Sequence, residues 1–241
     1  MVIAGAAFLA GIINSIAGGG TLISFPTLLW IGRNAIIANA TSTIALWPAS
    51  LSAAVGFRRD LATLPRRMYI LLVPSLLGGI IGAVLLLHTN TKTFERLVPW
   101  LILGATMLLA FQGFITQHLP QHRWPMSAVI VLQLLVGIYG GYFGAGIGIL
   151  MLAALGLIGL TDLHQMNGLK NLLAICINGV AAIYFTVLGA VIWSDAAVMV
   201  VAAIAGGFAG AKLAHVLGRQ FVRGFVIFVG IAMTIALFLK H

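Results

Sequence analysis

The sequence predicts an all-α polytopic membrane protein made of two inverted repeats, each a re-entrant or short helical hairpin followed by three transmembrane helices. Three observations lead there. Charge is scarce: 7% of the 241 residues are charged and 61% are hydrophobic, against about 25% charged in an ordinary soluble domain. Apolar runs of about 18 or more residues, each able to cross about 30 Å of hydrocarbon, recur at 38–57, 69–87, 97–117, 167–188, 196–215 and 222–239. Residues of the first half also return, in order, in the second. Strand-like alternation is missing and Gly, Ala and Leu fill the runs, so helices rather than a barrel must satisfy the backbone in lipid.

The opening MVIAGAAFLAGIINSIAGGG is apolar without the basic start of a secretory signal, and its pattern recurs in mid-chain, so it is expected to be mature structure. Two short apolar pieces, 2–17 and 22–31, are broken there by glycine. The second half starts alike, with pieces at 127–143 and 147–158. Pieces of about 10 to 12 residues do not comfortably cross a bilayer, so each pair reads as a hairpin. The first repeat is then 1–117, the linker 118–126 and the second repeat 127–241.

The duplication shows at an offset of about 127 residues. It matches Gly11 with Gly137, Gly18 with Gly144, Gly20 with Gly146, Asn39 with Asn167, Phe57 with Phe185 and Met107 with Met233. GGIIGA at Gly78 likewise falls on GGFAGA at Gly206. Matches that keep one order mark a repeat rather than shared composition. Whether a hairpin returns or crosses twice, each copy crosses an odd number of times, so the second copy sits upside down.

The charges agree with that reading. The loop after the first full span of copy one carries Arg58, Arg59, Arg66 and Arg67, whereas its counterpart GAVIWSD carries only Asp195. In the next loop, copy one has Lys92 and Arg96 offset by Glu95, and copy two has Lys212, Arg219 and Arg223. With the Arg58 loop in the cytoplasm, Arg33, Lys92, Arg96 and Lys240 lie outside, and nine of the thirteen Lys and Arg residues lie inside, as the positive-inside rule asks. Both termini are then outside, and the linker QHLPQHRWP is cytoplasmic. The net charge of +9 is thus explained by span ends, and no soluble basic face is left for nucleic acid. Cys176, the single cysteine, lies in an apolar run and excludes a disulfide or CxxC site within one chain.

Broken helices in inverted repeats offer unpaired N–H groups and helix N-termini to an anion near the midplane. The first break, NSIAGGGT, supplies Asn14, Ser15, Gly18, Gly19, Gly20 and Thr21; the second, YGGYFGAGIG, supplies Tyr139, Gly144, Ala145 and Gly146. The alternative is that these glycines only let helices pack closely. A second constellation opens the first full span of each copy: NATST, with Asn39, Thr41, Ser42 and Thr43, and NGLKN, with Asn167, Lys170 and Asn171. Asn39 with Thr43, and Asn167 with Asn171, share a helix face at a spacing of four. Lys170 stands in the starting turns of an apolar span, where an anion would offset the cost of its charge, unless it snorkels to the edge.

Gly78 with Gly82, and Gly206 with Gly210, read as packing patterns. His118 and His122 read as interfacial, because Pro120 between them spoils a helical metal face. Pro48 is expected to kink its span. All four carboxylates, Asp60, Glu95, Asp162 and Asp195, fall at or beyond span ends. A cation pathway usually needs acids inside the membrane, so the polar inventory favours an anion.

The opening AGxINSIAGGGT, NATST with the following WPAS, and GAGIG and NGLKN in the second half resemble the TauE/SafE sulfite exporter family of membrane permeases. The resemblance spans essentially the whole chain. It implies a two-module integral membrane protein moving sulfite, thiosulfate, sulfoacetate or a related anion. It also implies that residues 14–21, residues 39–43 and Lys170 with Asn171 occupy the family's polar signature positions. The expected function is an alternating-access transporter, in the exporting direction, of a small sulfur-containing anion in the inner (plasma) membrane. Its expected partners are that anion and the lipid bilayer, with a homodimer open to it, and no cofactor, metal or catalytic residue is expected. An anion channel and a non-transporting assembly subunit are the rival readings; an enzyme is disfavoured because no nucleophile, base and acid come together in the sequence.

Overall fold

The computed structural model describes residues 1–16, 19–56, 58–117, 124–160, 162–217 and 219–240. Of these, 15–16, 49, 52–56, 112, 115–117, 163, 211–217, 219–222 and 240 are described by backbone alone. Gly18, Phe57, His118 and His122 lie outside the described residues, as do the side chains of Ser15, Lys212 and Arg219. Among the described residues there is no strand.

The first half contains α1 (Val2–Ile16), α2 (Thr21–Trp30), α3 (Ala35–Gly56), the short α4 (Arg58–Ala62), a 3-10 turn (Arg66–Leu71), α5 (Leu72–His88) and α6 (Thr91–Gln117). The second contains α7 (Met126–Tyr142), α8 (Ile147–Leu157), α9 (Leu163–Val187), α10 (Trp193–Leu217) and α11 (Arg219–Lys240). Among the described residues, four segments are long and apolar enough to cross a membrane: Arg66–His88, Thr91–Phe111, His164–Val187 and Trp193–Gly210. Helices α3 and α11, of 22 residues each, reach about 33 Å at 1.5 Å per residue. Large apolar side chains are exposed on the outward faces of α10, at Val201 and Phe208, and of α11, at Phe228. The chain is a multi-pass membrane protein.

Helix starts differ from the apolar runs because caps, not hydropathy, set them. Asn34 Oδ1 accepts the N–H groups of Ile36 (3.0 Å) and Ile37 (3.4 Å), so α3 starts ahead of residue 38. In the second half, Asp162 Oδ1 accepts those of His164 (2.8 Å) and Gln165 (3.4 Å) at the head of α9. Each cap satisfies N–H groups that the first turn leaves without helical partners. Asn90 Oδ1 does the same for Lys92 (2.9 Å), which brings Glu95 and Arg96 into the first turns of α6. The helices before the two long caps also end alike. Gly32 and Gly159 both take φ +83°, with Arg33 N–H reaching Leu28 O at 3.0 Å and Leu160 N–H reaching Leu155 O at 3.4 Å. This is a left-handed glycine closure that returns the chain at once into the next helix.

Helix pairs form in matched sets. Helix α1 packs on α10 and α5 on α7; α3 packs on α9; α5 meets α9 as α10 meets α3; and α6 packs on α11. The two tightest sets rest on glycine. A Cβ on Gly82 would overlap the Ile138 carbonyl, and one on Gly206 would overlap the Phe8 carbonyl. Gly78 and Gly11 are equally confined, against Leu134 and Ala203. The packing expected of Gly78, Gly82 and Gly206 is therefore what the structure shows. The α5–α7 contact also holds a buried polar pair, Gln133 Nε2 donating to Ser75 Oγ at 2.9 Å.

Polar contacts at the helix ends define two rims. At one, Arg33 forms a forked pair with Asp195, at 2.7 Å and 3.2 Å, and Asn34 Nδ2 donates to Thr91 Oγ1 at 3.3 Å. At the other, Gln165 Nε2 donates to Thr63 Oγ1 at 3.1 Å, and Trp124 N–H donates to Leu157 O at 2.9 Å. Helix α3 thus runs from the first rim to the second, and α9 runs back. Midway, Trp47 Nε1 donates to Ile175 O at 3.2 Å, with its ring against Gly179. Helix α3 continues through Pro48 to Gly56.

Replacing Gly82 or Gly206 with leucine is expected to abolish recovery of monodisperse protein in size-exclusion chromatography, because a backbone carbonyl occupies the space the side chain needs. Gly104→Ala, which meets nothing within 4 Å, is expected to melt at or above the parent temperature, since alanine gains up to about 1 kcal/mol over glycine in a helix.

Candidate functional site

The first break is shaped by contacts that admit no side chain at Gly20, where a Cβ would lie 2.5 Å from Ala10 O and 3.1 Å from Asn14 Cβ. Gly19 and Gly20 are buried, whereas Asn14 and Thr21 are half-buried. The Leu22 and Ser24 N–H groups turn onto Gly19 O (3.0 Å) and Gly20 O (3.1 Å) as α2 starts. A hydroxyl chain then ties this break to α3. Ser24 Oγ donates to Gly20 O at 3.2 Å and lies 2.6 Å from Ser42 Oγ, so Ser42 supplies the proton of the second bond. Both serines are fully buried.

The second break is a left-handed double turn, with φ +79° at Gly144 and +77° at Gly146. A side chain is strained at either position, so glycine is required. The N–H groups of Phe143 and Gly144 both point to Tyr139 O, at 2.9 Å and 3.2 Å. Tyr139 Oη donates to Ala145 O at 2.7 Å. The phenol's one proton is therefore spent on holding the turn, and Tyr139 and Ala145 shape the break through each other.

The polar residues at the head of α3 divide by role. Thr41 Oγ1 accepts the Ile192 N–H at 3.2 Å and so anchors the loop before α10. Thr43 Oγ1 donates back to Asn39 O at 2.9 Å. Asn39 is 1% exposed and donates from Nδ2 to Tyr142 O at 3.0 Å, where α7 gives way to the second break. Its Oδ1 is buried and has no partner among the described residues. Such an acceptor is costly to leave unmet, about 1–3 kcal/mol, and calls for a donor. Phe143 in the same break meets Phe25 of α2 edge-on, with ring centroids 5.4 Å apart. One buried cluster runs continuously from Ile13 and Leu22 at the first break to Phe143 and Ala145 at the second.

At the head of α9, Lys170 Nζ donates to Asn167 Oδ1 at 3.1 Å. The lysine stem crosses Gly148, just past the second break, with Cδ 3.3 Å from where a Cβ would stand. Asn171 is half-buried on the same helix. One side chain that the motifs did not mark also arrives here: Asn178, with Oδ1 3.9 Å from the Cβ position of Gly144. The carboxylates remain at helix ends, with Asp195 paired to Arg33 and Asp162 capping α9.

The family model described as "Sulfite exporter TauE/SafE" matches residues 3–237. The chain belongs to the TauE/SafE family. A "Probable membrane transporter protein" of Haemophilus influenzae is 29% identical over 232 residues, covering 94% of this chain and 89% of the relative. "Probable membrane transporter protein YfcA" of Escherichia coli (strain K12) is 27% identical over 231 residues, covering 95% and 85%. "Probable membrane transporter protein ORF9" of Sinorhizobium sp is 29% identical over 237 residues, covering 96% and 89%. No solved structure matches the chain. This TauE/SafE protein is a membrane transporter.

The motifs left unmarked two polar residues of the TauE/SafE protein beside the breaks, Ser24 and Asn178, and of these Asn178 carried a signal that spacing could have exposed. Asn178 stands eleven residues beyond Asn167; with Asn171 four beyond it, all three fall within about 40° on the helical wheel. Ser50 holds the matching place on α3 after Asn39 and Thr43. Ser24 is fixed to the site only by its tertiary bond to Ser42.

Ser42→Val is expected to lower stability by about 1 kcal/mol, the net worth of one buried hydrogen bond, because Ser24 keeps its bond to Gly20 O. Thermal melting of the purified variant checks this, with Ser24→Ala predicted to cost at least as much.

Proposed function

We propose that this TauE/SafE transporter exports a small sulfur-containing oxyanion, such as sulfite, thiosulfate or a sulfonate, by alternating access about a site between the two breaks. The observation that carries the reading is the polar inventory at the second break: a lysine whose stem crosses Gly148 and whose ammonium is held by Asn167, the Asn39 and Asn178 amides, glycine backbone at the start of α8, and the acids kept at the helix ends. Ammonium and helix N-terminal N–H groups recognise an oxyanion. Asn39 Oδ1 would accept from a substrate hydroxyl or a bound water.

The two halves are read as inverted copies, 1–117 and 127–241. Supporting this are the exchange of counterpart helices in every major contact and the opposed directions of α3 and α9. Alternating access then exchanges which copy opens to which side. The Arg58 to Arg67 rim is assigned to the cytoplasm by its basic charge and the Arg33 to Asp195 rim to the outside, in the plasma (inner) membrane.

Thermal melting of the purified protein with sulfite, thiosulfate, sulfate and small sulfonates tests the substrate. A selective stabilisation is expected, reaching about 2.7 kcal/mol at a hundredfold excess over Kd, and lost in Lys170→Ala. Equal response to every anion, or one unchanged in Lys170→Ala, would remove the proposal. For the arrangement, single cysteines at positions 66 and 195 in a Cys176→Ser background should label from opposite sides of the membrane; labelling from one side would refute the inverted reading.

A further inference from the structure

The two rims are built on counterpart positions but carry different charge. At one, Asp195 is buried and neutralised by Arg33. An offset of 128 places Arg67 opposite Asp195, while the counterpart of Arg33 falls on Leu160 and Thr161. The second rim therefore exchanges an acid for a base and drops the partner. Instead of an ion pair it holds a cleft of about 260 Å³ between the 63–68 segment of the first half and the 158–165 segment of the second, lined by Thr63, Arg67, Met68, Gly159, Leu160 and Gln165. That volume is room for roughly eight waters. Thr63 and Gln165 are joined across it at 3.1 Å, which leaves the second Gln165 amide hydrogen and the Arg67 guanidinium as donors. The nearest capping acid, Asp162, is occupied by the N–H groups of α9. Arg58 and Arg59 of α4 and Arg66 of the 3-10 turn, against Asp60 and Asp162, add to the positive potential.

We propose that this cleft binds the phosphodiester headgroup of an anionic phospholipid. Lipid, rather than a soluble anion, follows from the surroundings. Below Arg67, Ile70, Val73, Leu77 and Ile81 are exposed at helical spacing along the 3-10 turn and α5, a continuous track for acyl chains. Exposed Trp124 is fixed beside the cleft by its bond to Leu157 O, as aromatic side chains are at the headgroup level. Basic pockets between transmembrane helices recognise phosphate headgroups in this way, and the fork of an arginine suits two phosphate oxygens.

The test is a titration of the delipidated, detergent-purified protein with dihexanoyl-phosphatidylglycerol, dihexanoyl-phosphatidylcholine and inorganic phosphate, followed by melting temperature. Phosphatidylglycerol should stabilise the protein saturably. Its affinity should fall roughly fivefold in Arg67→Ala, the effect of one arginine near an anionic headgroup, fall also in Gln165→Leu, and stay unchanged in Arg96→Ala at the opposite rim. The proposal is overturned if phosphatidylcholine stabilises equally, if Arg67→Ala binds phosphatidylglycerol as the parent does, or if inorganic phosphate alone reproduces the whole effect, which would mark a soluble-anion site.

Discussion

Close approach of helix backbones at glycine is the constraint on which this structure depends. Lipid tails are as apolar as leucine, so helices in a bilayer gain little from burying apolar side chains against one another and associate through packing and polar contacts instead. Here the two tightest contacts, α1 with α10 and α5 with α7, bring Gly206 against the Phe8 carbonyl and Gly82 against the Ile138 carbonyl. Each joins a short hairpin helix of one half to a membrane-spanning segment of the other, Trp193–Gly210 for α1 and Arg66–His88 for α7. A hairpin helix of 15 or 17 residues that is marginal for a full crossing is thus fixed by a neighbour that does cross. Both breaks adjoin these contacts: Gly20, the N-cap of α2, lies against Ala10 and Asn14 of α1, and Gly144 follows the end of α7.

Much of this was legible in the sequence. The glycines at 78, 82 and 206 could be assigned to packing because small residues four apart form one helix stripe. The helix ends were less legible. Hydropathy locates where hydrocarbon starts, whereas Asn34, Asn90 and Asp162 set where hydrogen-bonded turns start, and these differ by several residues wherever a polar first turn precedes the membrane. The 3-10 turn at Arg66–Leu71 was invisible for a related reason: a run of apolar residues does not distinguish a three-residue from a 3.6-residue turn.

For the candidate site, the sequence offered a set of positions but not the hydrogen bonds that each side chain makes. NATST suggested a uniform polar lining, yet its side chains serve different ends: Thr41 takes a loop N–H, Ser42 and Ser24 bind α3 to the first break, and Asn39 reaches into the second half. Spacing reports which residues share a face, and only the tertiary neighbours determine whose hydrogen-bonding capacity is spent. Tyr139 illustrates the distinction: its single hydroxyl proton already holds Ala145 O, so it can only accept. Asn178 illustrates the converse, a residue on the same face as Asn167 whose importance depends on Gly144 lying opposite.

The unequal rims bear on how two similar halves could move. Under the alternating access proposed above, identical counterpart contacts would give two states related by exchange of the halves equal energy, and nothing in the protein would favour facing one way. The Arg33–Asp195 pair breaks that equality, since Arg67 stands where a second acid would be needed. Its magnitude is modest. The arginine is 38% exposed and the aspartate 7%, which places the pair between a screened surface bridge worth about 0–1 kcal/mol and a buried one whose gain is offset by desolvation. A bias of about 1 kcal/mol gives roughly a fivefold preference between states, enough to set a resting orientation. In that proposed cycle, bound substrate would reverse a bias of that size with an equally small difference in affinity, so a single rim contact would set which way the empty protein faces without locking it there.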